Sequence, residues 1–211
     1  MALARLLLAD DHEVVRQGFR ALLEKAGYEI VGEAADGQEA VRLAQALHPQ
    51  VAILDVRMPL LNGMEAAREI IRTAPQTRVV LLTMHIEEPY VLQALQTGIS
   101  GYVLKSKSAS ELLQAVQEAL RGGLFLSPDV SGTVVRAYLS NSEPAPDSLG
   151  SRERQVLQLV AEGKSTKEIA VLLGISVKTA ESHRGHIMEK LNIHSVAGLV
   201  RYAIRRGMIE P

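Results

Sequence analysis

The chain has 211 residues, of which 47% are apolar and 3% aromatic, with no tryptophan and no cysteine. That length holds one large or two small domains with aliphatic cores, and the missing cysteine excludes disulfides, thiolate metal sites and thiol catalysis. The net charge of −1 hides an asymmetry: residues 1–148 carry 13 Lys/Arg against 18 Asp/Glu, whereas residues 149–211 carry 10 against 6, so only the second part has the sign to meet a polyanion.

The opening run Met1-Ala-Leu-Ala-Arg-Leu-Leu-Leu-Ala is far shorter than a membrane span and has no cleavage-like site, so it reads as a first strand. A cytoplasmic protein with no membrane partner is expected. Short aliphatic runs then alternate with stretches of helical spacing: Arg5–Ala9 and Glu13–Ala26, Tyr28–Ala34 and Gly37–Leu47, Val51–Leu54 and Gly63–Thr73. Arg78–Thr83 and Pro89–Gly98, then Ser100–Leu104 and Ser108–Arg121, complete five pairs. Apolar residues at i, i+3 and i+4, as in Ala40, Leu43, Ala44 and Leu47, mark the helices. Gly27, Gly98 and Gly122 fall where helix C-caps are expected, and Ser108 with Glu111 has the spacing of a capping box. The pattern predicts an α/β fold, a doubly wound (βα)5 parallel sheet over residues 1–124.

In such sheets ligands bind beyond the carboxyl ends of the strands. The predicted strands end in Asp10-Asp11, Asp55, Thr83 and Lys105, all on one edge if the strands are parallel. Each has an ordinary alternative: loop caps for the aspartates and a solvated charge for Lys105. Together, three converging carboxylates would repel one another without a cation, and an all-oxygen set suits Mg²⁺ or Mn²⁺. An Asp nucleophile, a divalent ion, a Lys and a Thr form the inventory for phosphoryl transfer to a carboxylate. His12 reads as a loop-facing neighbour, and Gln38 and Arg42 as solvated surface.

The segments Leu8-Ala9-Asp10-Asp11-His12, Leu54-Asp55-Val56-Arg57-Met58-Pro59, Leu60-Leu61-Asn62-Gly63, Leu82-Thr83 and Gly101-Tyr102-Val103-Leu104-Lys105 resemble the receiver pattern of two-component response regulators. The resemblance implies that Asp55 accepts a phosphoryl group from a sensor histidine kinase, assisted by Thr83 and Lys105. It further implies that Asp10, Asp11, Asp55 and the backbone carbonyl of Arg57 bind the metal, and that Thr83 and Tyr102 form a switch pair. Met84 departs from the pattern, being bulky where the family usually has a small residue.

Residues 125–148 read as a connector, with a short helix over Asp129–Leu139 and a polar, proline-containing linker over Ser140–Ser148. From Leu149 the period is helical throughout: Arg152–Ala161, Thr166–Leu173, Val177–Leu191 and Ser195–Arg206. This predicts a small all-α four-helix domain over 149–211, whose second and third helices, joined by Gly174-Ile-Ser176, have the helix-turn-helix arrangement. A protein-binding helical bundle is the alternative that spacing leaves open.

Leu159-Val160-Ala161-Glu162-Gly163-Lys164-Ser165, Lys167-Glu168-Ile169-Ala170, Leu173-Gly174-Ile175-Ser176 and Lys178-Thr179 are similar to the LuxR-type domain of the NarL/FixJ subfamily. The resemblance implies that Val177–Leu191 enters the major groove of double-stranded promoter DNA, with Glu181, Ser182 and Gly185 facing base edges. Lys164, Thr166, Lys178, Thr179, His183, Arg184 and Lys190 are then candidates for phosphate contacts. Gly185 offers no side chain, and Gly150 stands where the family usually caps with Thr, so Ser151 is a second candidate cap. The expected function is a transcriptional regulator rather than a turnover enzyme, dimeric when phosphorylated, with RNA polymerase a further candidate partner. An Asp-nucleophile phosphotransferase or phosphatase, or a constitutive protein-interaction regulator, are the alternatives.

Overall fold

Aliphatic runs without polar alternation fold as the strands of one sheet in the computed structural model, which describes residues 3–86, 88–106, 109–139 and 149–209. The side chains of residues 89 and 136–139 are not among those described, and the expected cap Ser108 and linker 140–148 lie outside the described residues. The chain divides into two compact units, Met1–Pro144 and Ala145–Pro211.

The first unit runs β1 (Arg5–Ala9), α1 (Glu13–Lys25), β2 (Glu29–Ala34), α2 (Gly37–Leu47), β3 (Val51–Asp55), α3 (Gly63–Thr73), β4 (Arg78–Thr83), α4 (Glu88–Thr97), β5 (Gly101–Leu104) and α5 (Ala109–Leu120). All pairings are parallel, and these five strands stand in the order β2-β1-β3-β4-β5. The order reverses at β1, so the switch point where such sheets bind ligands lies between β1 and β3. Side chains two apart share a face: Leu7, Ala9, Ala52 and Leu54 pack with α2, α3 and α4, and Leu6, Leu8, Val51 and Ile53 pack with α1 and α5. Gly27, Gly98 and Gly122 have φ of +87°, +87° and +80°, the left-handed geometry of the expected C-caps.

A sixth strand, β6 (Phe125–Leu126), followed by α6 (Pro128–Leu139), extends this unit beyond the five pairs read from the sequence. Phe125 N donates to Ser100 O at 3.0 Å and Ser127 N to Tyr102 O at 3.0 Å. Val130 is fully buried in the cluster that contains Tyr102, so the stretch expected to begin a connector starts as part of the sheet and its cover.

The second unit consists of α7 (Ser151–Ala161), α8 (Thr166–Leu172), α9 (Val177–Leu191) and α10 (Val196–Arg205), packed on an aliphatic core that includes Val156, Leu159, Ile169, Ile187 and Leu199. Gly150, not Ser151, is the N-cap of α7. A glycine has no side chain to complete a capping box, but Gly150 N donates to Glu153 Oε2 at 2.7 Å, which satisfies one otherwise orphaned donor. Among the described residues no helix is long and apolar enough to cross a membrane.

Candidate functional site

Asp55 closes the central strand and is 5% exposed. The loop behind it folds back tightly: Val56 N donates to Leu82 O at 2.9 Å and Gly63 N to Val56 O at 2.8 Å. A Cβ on Gly63 would lie 1.9 Å from Asp55 O, so only glycine lets α3 start against the end of β3. The turn is made by Leu60 at φ +65°, a conformation that costs a β-carbon-bearing residue about 1–2 kcal/mol.

The acidic pair after β1 meets Asp55 at this edge. Asp10 is fully buried; its Oδ1 accepts from His12 N at 2.9 Å, and its Oδ2 lies 2.7 Å from Lys105 Nζ. The same ammonium is 2.8 Å from Asp55 Oδ2. His12 Nδ1 is 2.7 Å from Asp11 Oδ1 while its side chain is 71% exposed, so it lies beside the site on the loop and its ring meets the outer carboxylate. Arg16, which sequence reasoning did not single out, donates from one guanidinium nitrogen to Asp10 O at 2.7 Å and from Nε to Glu33 Oε2 at 3.2 Å.

One ammonium thus serves two buried carboxylates. Burial pushes the Asp55 carboxyl above its ordinary range, more than Lys105 and the Arg57 N–H lower it, with the Asp10 charge adding to the rise. Donor atoms of Asp10, Asp11, His12 and Asp55 can come within 4.8 Å of one another. Two buried, under-neutralised carboxylates, Asp10 and Asp55, beside the exposed Asp11 fit a hard divalent cation such as Mg²⁺ or Mn²⁺ that keeps one side open to solvent.

The two expected switch residues meet on the backbone of one residue, His85. Thr83 Oγ1 accepts from His85 N at 3.0 Å, and Tyr102, 1% exposed, donates its hydroxyl to His85 O at 3.0 Å. The His85 ring stacks on Tyr90 at 4.7 Å between centroids. No side-chain signal marks His85 in the sequence, because its contacts to Thr83 and Tyr102 run through its peptide groups. Met84 is exposed at the rim, so its bulk is not taken up by the core.

In the second unit, α9 buries Ala180 and Ile187 and turns Lys178, Glu181, Ser182 and Gly185 outward, a solvent stripe at i, i+3, i+4 and i+7. Lys164 is exposed, and Thr166 and His183 are half-buried. Three candidates for DNA contact have partners inside the unit. Arg184 donates to Thr166 Oγ1 at 2.6 Å, joining α9 to the start of α8; the Thr179 hydroxyl sits 2.8 Å from that of the cap Ser176; Lys190 Nζ lies 2.7 Å from Glu153 Oε2. Burial disfavours the Glu153 charge, but the Lys190 hydrogen bond, the Gly150 N–H and the charges of Lys190 and His186 outweigh it and hold the carboxyl below its ordinary range.

Comparison with known proteins places both units. A family model described as the response regulator receiver domain matches residues 6–117, and one described as bacterial regulatory proteins, luxR family, matches residues 147–203. The chain is 36% identical over 215 residues to the oxygen regulatory protein NreC of Staphylococcus carnosus, covering 98% of this chain and 99% of NreC. A crystal structure of a LuxR-family two-component response regulator from Aurantimonas is 38% identical with a TM-score of 0.62, covering 65% of this chain and 99% of that one. RcsB of Salmonella enterica serovar Typhimurium, solved bound to promoter rprA in the presence of the phosphomimetic BeF3⁻, is 29% identical with a TM-score of 0.61, covering 95% and 98%.

Proposed function

Because the chain belongs to the two-component response regulators that carry a LuxR-type DNA-binding domain, we propose that Asp55 is its phosphoacceptor and that phosphorylation promotes dimerisation and binding to promoter DNA. The observation that carries this reading is the single Lys105 ammonium held between the buried carboxylates of Asp10 and Asp55. A Mg²⁺ or Mn²⁺ ion held by Asp10, Asp11, Asp55 and the Arg57 carbonyl would supply positive charge to the phosphoryl oxygens.

The donor is a sensor histidine kinase. An Asp55 carboxylate oxygen forms the bond to phosphorus as the P–N bond to the donor imidazole breaks, and the leaving imidazole takes up a proton. Lys105, already 2.8 Å from Asp55 Oδ2, follows the charge to the phosphoryl oxygens. The Thr83 hydroxyl reaches the same oxygens, which changes its bond to His85 N and, through His85 O, the support of the Tyr102 hydroxyl. Asp55 holds the group until water hydrolyses the acyl phosphate, a step the same site can promote, so the chain is a phosphorylated regulator rather than a turnover enzyme.

At the output end, α9 enters the major groove. Glu181, Ser182 and Gly185 face base edges, while Lys164, Thr166, Lys178, Thr179, His183, Arg184 and Lys190 contact or orient toward phosphates. The protein acts in the cytoplasm as a dimer on DNA, with RNA polymerase a further partner. The solved RcsB complex with a promoter and a phosphomimetic supports the link between the two ends. Intact-mass measurement with acetyl phosphate and Mg²⁺ tests the acceptor: the chain gains one phosphoryl group and Asp55→Asn gains none. Equal incorporation by that variant overturns the assignment. For the output, Lys178→Ala lowers the salt slope of duplex binding by about 1.

A further inference from the structure

The peptide N–H of Leu104 sits at the end of β5, one residue before Lys105. In a continuing parallel ladder a carbonyl of β6 would accept from it, but β6 is only two residues long and Pro128 diverts the chain into α6. A side chain takes the missing acceptor's place: Leu104 N donates to Ser127 Oγ at 3.1 Å, and the Ser127 hydroxyl donates to Glu111 Oε2 on α5. Ser127 N also donates to Tyr102 O at 3.0 Å, and Ser127 O accepts from Val130 N of α6 at 2.8 Å. Ser127 is 0% exposed. On its other side the end of β5 is fixed by Lys105 N donating to Thr83 O at 2.8 Å. Ser127 therefore completes the clamp on the backbone from which the Lys105 side chain reaches both carboxylates.

We propose that Ser127 is a positioning residue for phosphoryl transfer: with Glu111 behind it, it holds the Leu104–Lys105 backbone so that the ammonium stays on Asp10 and Asp55, and it anchors α6 to the same strand end. The inference rests on Asp55 being the acceptor. Cationic contacts to a transferring phosphoryl group depend on placement, and a misplacement of about 1 Å can cost a hundredfold in rate.

The test measures phosphoryl incorporation into the full chain across acetyl phosphate concentrations at saturating Mg²⁺, for the unmutated protein, Ser127→Ala, Ser127→Cys and Val130→Ala. Cysteine keeps the volume of serine with a weak acceptor, so it reports even if alanine fails to fold. Val130→Ala removes buried α6 packing without touching the clamp. The expected result is a maximal rate lowered at least fivefold in each folded Ser127 variant, with the half-saturating acetyl phosphate concentration changed less than twofold and Val130→Ala within twofold of unmutated protein. A smaller loss of maximal rate, a loss confined to half-saturation, or an equal loss in Val130→Ala overturns it. If the unmutated chain incorporates no phosphoryl group at Asp55, the acceptor reading fails instead.

Discussion

Replacing Asp55 with Asn stabilises the first unit when no divalent ion is present and destabilises it relative to the unmutated chain when one is. The side chain is nearly fully buried, and its ionised form lies beside that of Asp10 with Lys105 shared between them. After the substitution Lys105 keeps Asp10 at 2.7 Å and an amide oxygen still accepts, so the lost term is the difference between a charged and a neutral hydrogen bond, about 1 kcal/mol. Against this stands the removal of one of two desolvated carboxylate charges that share a single ammonium; replacing a whole buried ion pair by apolar groups is neutral or worth up to about 1–4 kcal/mol, which bounds the gain here because Lys105 keeps its Asp10 partner. The net expectation is a gain of about 1–2 kcal/mol, or about 2–8 °C in Tm for a unit of this size. Saturating Mg²⁺ at a hundred times its Kd adds about 2.7 kcal/mol to the unmutated chain and far less to the variant, which reverses the order.

The pH dependence has a fixed sign. A carboxyl raised above its unfolded value contributes stability that is full below the unfolded pKa and lost as pH rises through the folded one. Metal-free unmutated protein therefore gains this contribution as pH falls from neutrality toward about 4, and the variant does not. Urea unfolding followed by hydrogen exchange in β3 reads the first unit by itself. An Asp55→Asn chain that is less stable than the unmutated one without metal, or equally stabilised by Mg²⁺, would refute the account of a single cation serving two buried charges.

Three further outcomes follow from the geometry. Glu153→Ala removes the acceptor for Gly150 N and the partner of Lys190, and because Lys190 is 45% exposed its share is discounted for solvent screening; the second unit loses about 1–2 kcal/mol in urea unfolding. Since the Glu153 carboxyl is depressed, that contribution is present above the unfolded value near about 4.3 and vanishes as pH falls through the folded one. Gly185→Ala meets no atom within 4 Å of the new Cβ and stabilises α9 by up to about 1 kcal/mol; duplex affinity that holds or rises shows that glycine there gives up a contact, whereas a fall shows that the backbone approaches DNA. Leu60→Gly relieves the positive φ and, after the entropic cost of glycine, raises first-unit stability by about 0.5 kcal/mol, measured by thermal unfolding.

Much of the first unit is legible because its signals are local. A strand buried on both faces must be an unbroken aliphatic run, the left-handed residues after α1, α4 and α5 are glycines, and the reactive groups sit at strand ends where period and topology place them together. What was not legible depends on backbone atoms or on distant partners. β6 is two residues long, too short for any period, and Ser127 substitutes a hydroxyl for the carbonyl that a longer strand would offer. Arg16 acts on the Asp10 carbonyl and His85 through its own backbone N–H and C=O, so side-chain chemistry gives no hint of either. The resemblance to LuxR-type domains makes Lys190 a candidate for phosphate or positioning contacts, or for the domain core, and its ion pair with Glu153 on another helix is a partner no local pattern reveals.

These hidden contacts share a consequence for signalling within the first unit. Thr83 and Tyr102 never touch through their reactive ends in the hydrogen bonds described; each grips His85, one at its N–H and the other at its carbonyl. The two groups lie in successive peptide planes that meet at the His85 Cα, so a hydroxyl drawn from His85 N toward a phosphoryl group frees the first plane and, by rotation about φ and ψ at His85, would shift the carbonyl that Tyr102 uses. The next peptide carries the effect outward, since Ile86 O accepts from Thr133 Oγ1 of α6 at 3.5 Å. At its other end α6 begins on Ser127, which holds the strand of Lys105. The helix that leads out of the sheet is thus hydrogen-bonded both to the Thr83 loop and to the end of the Lys105 strand, so under the proposed acceptor role a change at Asp55 would have two hydrogen-bonded routes to it rather than one.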